Sequence, residues 1–162
     1  MRAYIGIKFH PDDKNRETIE QLSEALTSCG FETACVRRDV EEWGAVTLSP
    51  QELMRKTFEI IRSCQLVVIE LTEKGVGLGI ESGYAYAHAI PVITIARDGS
   101  DISDTLRGIS QEVYLYRTTG DLSSFFQLLE IKNTYLNGSH NGEATTTSSA
   151  VTARERADMQ SE

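Results

Sequence analysis

Glu81 is the residue whose type and setting most suggest chemistry. It stands in Gly75 to Val92, GVGLGIESGYAYAHAIPV, where closely spaced glycines run into a helical pattern. A carboxylate at that place has three readings: a cap, a ligand or a nucleophile. As a cap it complements the positive end of a helix, worth about 0.3–1 kcal/mol. As a nucleophile its natural target is an anomeric carbon. The departing group leaves an oxocarbenium-like centre that a carboxylate can trap, the covalent route of retaining glycosidases. Gly79 and Gly83 leave space on either side, and Tyr84 and Tyr86 offer flat faces or hydroxyls.

Other chemistries fit this stretch poorly. A dinucleotide fingerprint needs G-x-G-x-x-G after the first strand; here the spacing is G-V-G-L-G and the preceding strand is the third. A P-loop needs Gly-Lys-Ser/Thr at its end, which is absent. Gly79-Ile80-Glu81-Ser82-Gly83 has the frame of an esterase elbow, but glutamate holds its centre, Ser82 is off position and no His–Asp pair accompanies it.

The elements that must position Glu81 follow from periodicity. Ala3 to Ile7 reads as a buried strand. Asp12 or Asp13 is the expected cap of a helix carrying Ile19, Leu22, Ala25, Leu26 and Cys29, ended by Gly30. Phe31 to Val36 reads as a second strand. Ser49-Pro50-Gln51-Glu52 is a capping box with proline at the first helical position, opening a helix whose buried side is Leu53, Phe58, Ile60 and Ile61. Leu66 to Leu71, LVVIEL, suits a central parallel strand covered on both faces. A glycine loop, a helix from about Ile80 to Ala89, and strands at Pro91 to Ala96 and Val113 to Tyr116 follow. Asp121 is the expected cap of a last helix through Phe125, Leu128, Leu129 and Ile131. Alternating strands and helices predict an α/β, flavodoxin-like, open parallel five-stranded sheet with helices on both faces. In that order, ligands bind beyond the strand ends between the first and third strands. KFHPDDKN and TEKGVGLG then meet at one crevice. Glycines let the backbone of the second loop approach a ligand closely.

Composition bounds the rest. The chain has 162 residues and a net charge of −8, from 24 acidic against 16 basic residues, which argues against a partner of polymeric nucleic acid. Cys29, Cys35 and Cys64 lack metal-type spacing and read as reduced core thiols of a cytoplasmic protein. No apolar run suits a membrane span. From about Asn137 the chain turns to Ser, Thr, Gly and charge. Residues 1–135 are expected to form the domain, and 136–162 a disordered C-terminal tail.

Leu66 to Val92, LVVIELTEKGVGLGIESGYAYAHAIPV, resembles the signature of the nucleoside 2-deoxyribosyltransferase superfamily, which includes deoxyribonucleoside 5'-monophosphate N-glycosidases and related CMP hydrolases. RAYIGI resembles the family's first strand, and Ile102 to Gly108, ISDTLRG, a later segment followed by an aromatic strand matched by VYLY. The likeness covers about residues 1–132. It implies that Glu81 is the nucleophile attacking C1' and that Tyr4 holds its carboxylate. It implies that Ser103 reaches a substrate phosphate from the adjacent protomer, and that the protein is a homodimer or higher homo-oligomer. Gly6, His10, Gly75, Gly77, Gly79 and Ser103 are the expected substrate-binding residues. The expected partner is a small nucleoside or nucleotide, with no cofactor and no metal.

Two positions depart from the family pattern. An acid on the helix before the third strand is replaced by Thr57, and an acid or serine six residues before the nucleophile is replaced by Gly75. Glu73, Asp13 or His10 are the candidates to replace them in space. Hydrolysis is therefore expected over transfer. A catalytically decayed nucleotide-binding sensor of the same fold, and a structural domain with Glu81 as a cap, are the competing readings. NAD-cleaving domains of Toll/interleukin-receptor type share the layout.

Overall fold

The computed structural model describes residues 1–138, the side chains of 130–138 excepted. Its five strands are β1 (Arg2–Ile7), β2 (Glu32–Ala34), β3 (Leu66–Glu70), β4 (Val92–Arg97) and β5 (Glu112–Tyr116). All pair in parallel, in the order β2-β1-β3-β4-β5. The chain reverses its winding direction between β1 and β3, the crevice expected from the sequence. Register sets Tyr4 beside Val67 and Gly6 beside Ile69.

Alternation along the strands sends successive side chains to opposite faces. Ala3, Ile5, Val68, Ile93 and Ile95 pack under α1 (Arg16–Thr27) and α6 (Gly120–Gly138), against Ile19, Leu22, Leu26, Leu122 and Phe126. Tyr4, Val67, Ile69, Val92 and Ala96 face α3 (Pro50–Arg62), α4 (Val76–Ala87) and α5 (Asp104–Ile109), against Ile61, Leu78, Ala85 and Leu106. β3 is buried along its whole length, as an inner parallel strand must be. The three cysteines are buried and free.

The capping box forms as expected. Ser49 Oγ accepts from Glu52 N at 3.3 Å, and Glu52 Oε2 accepts from Ser49 N at 3.2 Å. Several other expectations need correction. The residue capping α1 is Asn15, and its side chain makes no capping bond. Asp13 is held elsewhere by Arg37, whose Nε donates to it at 2.6 Å. β2 is only three residues long. At Val36 the chain instead enters a short helix, α2 (Val36–Asp39), followed by a 3₁₀ turn at Glu42–Gly44. Leu128 is 60% exposed and so lies off the buried face of α6. Ile131 is outside the described side chains. α6 is described as far as Gly138, and all but the first three residues of the tail expected over 136–162 lie outside the described residues. Among the described residues, no helix is long and apolar enough to cross a membrane.

Candidate active site

The glycine-rich stretch before Glu81 departs furthest from expectation. α4 begins at Val76, with Gly75 as an extended cap, four residues before the expected start. Gly77 and Gly79 are therefore helical residues, not loop. Glu81 sits in the second turn, and the first turn holds no acid. A carboxylate so placed is beyond the orphan N–H groups of the first turn. The reading of Glu81 as a cap loses its geometric basis.

Tyr4 and Gly6 share one face of β1, and that face meets α4. A Cβ on Gly6 would lie 2.6 Å from Glu81 Oε2 and 2.8 Å from Ile69 Cδ1. Only glycine admits the carboxylate so close to the strand. Glu81 Oε2 is buried and has no hydrogen-bond partner among the described residues. Burial without a neutralising cation disfavours the charged form. It pushes the Glu81 carboxyl up to about 7, while the adjacent Tyr4 phenol pulls the other way. The Tyr4 phenol is itself raised well above its ordinary value, first by burial and then by Glu81.

Above this pair is a cavity of about 410 Å³. Tyr4, Glu81, Gly75, Gly77 and Lys8 line it, together with apolar Phe9, Leu53, Met54 and Val76. Arg37 and Glu41 join the lining from the segment after β2. Arg37 stacks over Phe9 at 4.9 Å and is only 12% exposed. These two residues were not found from the sequence. Their signal was positional: the loop after β2 leaves the same rim of the sheet as the loops after β1 and β3.

Both departures from the family pattern lie in this cavity. Thr57 is 2% exposed, and its hydroxyl is committed to Leu53 O at 2.8 Å. A Cβ on Gly75 would lie 3.1 Å from Lys8 Cδ, so the Lys8 stem occupies the space a side chain there would need.

The remaining expected residues lie elsewhere. Gly79 is exposed and does not line the cavity, and nothing lies within 4 Å of where its Cβ would be. Ser103 precedes α5, bonded to Thr105 Oγ1 at 2.6 Å, outside the cavity. Tyr84 stacks on Phe58 at 4.0 Å between α3 and α4, and Tyr86 is 60% exposed. His10 pairs with Glu73 at 3.2 Å in a second cavity of about 240 Å³. That cavity also holds Lys14, Arg97 and the buried Glu70, which accepts from Thr72 and from Tyr116 Oη at 2.9 Å. Glu70 points to the α1 and α6 side of β3, away from Glu81 on the α4 side. Glu73 and His10 thus line this second cavity and not the one that holds Glu81, and Asp13 is engaged by Arg37. Among the described residues, no group of three or more His, Cys, Asp or Glu could hold a metal ion.

No family model and no curated protein matches the chain in sequence. Solved structures do match in shape. A CMP N-glycosidase, BcmB, from Clostridium botulinum has a TM-score of 0.53 at 20% identity, covering 80% of this chain and 99% of that one. A 2-deoxyribosyltransferase from Bacillus psychrosaccharolyticus gives 0.60 at 14% identity, covering 76% and 90%. BlsM gives 0.61 at 20% identity, covering 90% and 97%. The chain shares the fold of these proteins. At such identities the likeness carries the fold, and the chemistry rests on the residues around Glu81.

Proposed function

We propose that this chain cleaves the N-glycosidic bond of a nucleoside or nucleoside 5'-monophosphate, with Glu81 as the nucleophile and water as the final acceptor. The observation that carries the reading is the Glu81 carboxylate. It is packed against Gly6 at the base of a cavity, with Oε2 buried and free of partners among the described residues. A volume of about 410 Å³ falls within the roughly 300–1,000 Å³ of small-molecule sites. The shared fold of a CMP N-glycosidase and a 2-deoxyribosyltransferase supports it further.

In this reading a Glu81 oxygen attacks C1' and the bond from C1' to the base nitrogen breaks. Tyr4 orients the carboxylate. Water then cleaves the glycosyl ester and restores Glu81. Lys8 and Arg37 give the cavity positive charge that suits a 5'-phosphate, with Ser103 reaching it from the adjacent protomer of a homodimer. Thr57, in place of the transferase acid, favours hydrolysis over transfer. The test is a base-release assay across ribo- and deoxynucleosides, with and without the 5'-phosphate. Free base is expected from the wild type and not from Glu81→Gln. No base from any substrate, with Glu81→Gln indistinguishable from wild type, would defeat it.

Thr57 and Gly75 favour a second reading, a nucleotide-binding sensor that no longer turns over. Calorimetry showing tight nucleotide binding without base release would support that reading instead.

A further inference from the structure

A departing base needs a proton, and neither Thr57 nor Gly75 has one of suitable acidity to give. The cavity nevertheless holds a second carboxyl. Glu41 lines it together with Glu81, but from a different element, the segment that follows α2. Its side chain is 19% exposed and lies 3.8 Å from Arg37 Nη1. Arg37 is held more closely by Asp13, at 2.6 Å through Nε. Glu41 therefore has a cation at hand without being locked into a tight ion pair.

The backbone around Glu41 is unusually determined. Its N–H donates to Val36 O at 3.0 Å, and its carbonyl accepts from Gly44 N at 2.8 Å and Val46 N at 3.0 Å. The next three residues all have positive φ: Glu42 at 46°, Trp43 at 56° and Gly44 at 91°. Two successive non-glycine residues in that region are costly, and surrounding contacts must maintain them. Arg16 stacks over Trp43 at 4.5 Å, and a Cβ on Gly44 would lie 3.0 Å from Arg37 Nη2. Of these two arginines, Arg37 also lines the cavity. Burial also raises the Glu41 carboxyl above its ordinary value, against the pull of Arg37.

We infer that Glu41 is the acid that protonates the leaving base, an inference that rests on Glu81 being the nucleophile. As Glu81 attacks C1', the electron pair of the breaking bond passes to the base. The Glu41 proton moves to a ring nitrogen or oxygen of that base, and Glu41 is left as a carboxylate facing Arg37. In the second step water attacks C1', Glu41 takes the water proton, and Glu81 leaves as a carboxylate. Both residues return to their starting forms.

The test varies the leaving group. 7-Methyl-2'-deoxyguanosine carries a base that is already cationic and departs without a proton; 2'-deoxyguanosine and the best natural substrate do not. Glu41→Gln should slow release from the natural substrates by roughly 10²-fold or more, and from the methylated one by only a few fold. Glu41→Asp, which keeps the acid on a shorter arm, should fall between, and it serves if the Gln variant does not fold. Equal slowing on both substrate types, or none, would overturn the assignment while leaving Glu81 in place. Glu81→Gln should lose both substrates; if it keeps them, the nucleophile reading fails and the acid falls with it.

Discussion

Glu81 holds an unusual balance for a carboxyl group: it is buried, lacks a cation, and is raised from 4.5 to about 7. A folded-state value above the ordinary one has a definite sign in the stability of the protein. The protonated group contributes fully below about pH 4.5, and the contribution is lost as pH rises through about 7. A tenfold change in acidity is worth about 1.4 kcal/mol, so the full loss is on the order of 3 kcal/mol. Glu81→Gln cannot ionise and should not suffer it. Urea unfolding at pH 5 and pH 8 should show the variant gaining on the wild type at the higher pH; parallel pH dependence in the two proteins would contradict a buried, cation-free carboxyl. Glu81 was legible in the sequence because its frame of glycines and tyrosines is distinctive. Its partner Gly6 stood among the expected residues, but the reason for it, a carboxylate 2.6 Å from a would-be Cβ, needs the packing of β1 on α4.

At the scale of elements, β1, β3 and β4 were readable because a doubly covered parallel strand is apolar nearly throughout. The start of α4 was not. Glycine has the poorest helix propensity after proline, so G-V-G-L-G reads locally as loop. Tertiary packing overrides that preference: Leu78 is 3% exposed, and burying it fixes the first turn. The segment from Val36 to Gly44 was missed for a related reason. Its charges have no period, and positive φ at Glu42 and Trp43 departs from the glycine and asparagine rule for such positions. The helical position of Gly79 carries a prediction. Nothing lies within 4 Å of its would-be Cβ. Gly79→Ala should therefore raise stability by about 0.5–1 kcal/mol, read as a higher unfolding midpoint, with base release unchanged. A fall in release would place Gly79 in the site, whose cavity it does not line.

The whole molecule places both cavities along one rim of the sheet, beyond the carboxyl ends of its parallel strands. The sequence supported that placement through strand order alone; it did not separate the two cavities. His10 and Glu73 fall on one side of β3 and Glu81 on the other, a division that depends on alternation at Ile69 and Glu70. Parallel pairing has a practical consequence for handling the protein. Every strand starts at the opposite rim, so the chain's first residue is there too, with Met1 68% exposed beside the start of β1. Protein tethered to a bead through Met1 should present its cavity outward and keep the rate of base release seen free in solution, measured per mole bound. A chip coated in that orientation would display a uniform field of open pockets to any nucleotide library washed across it.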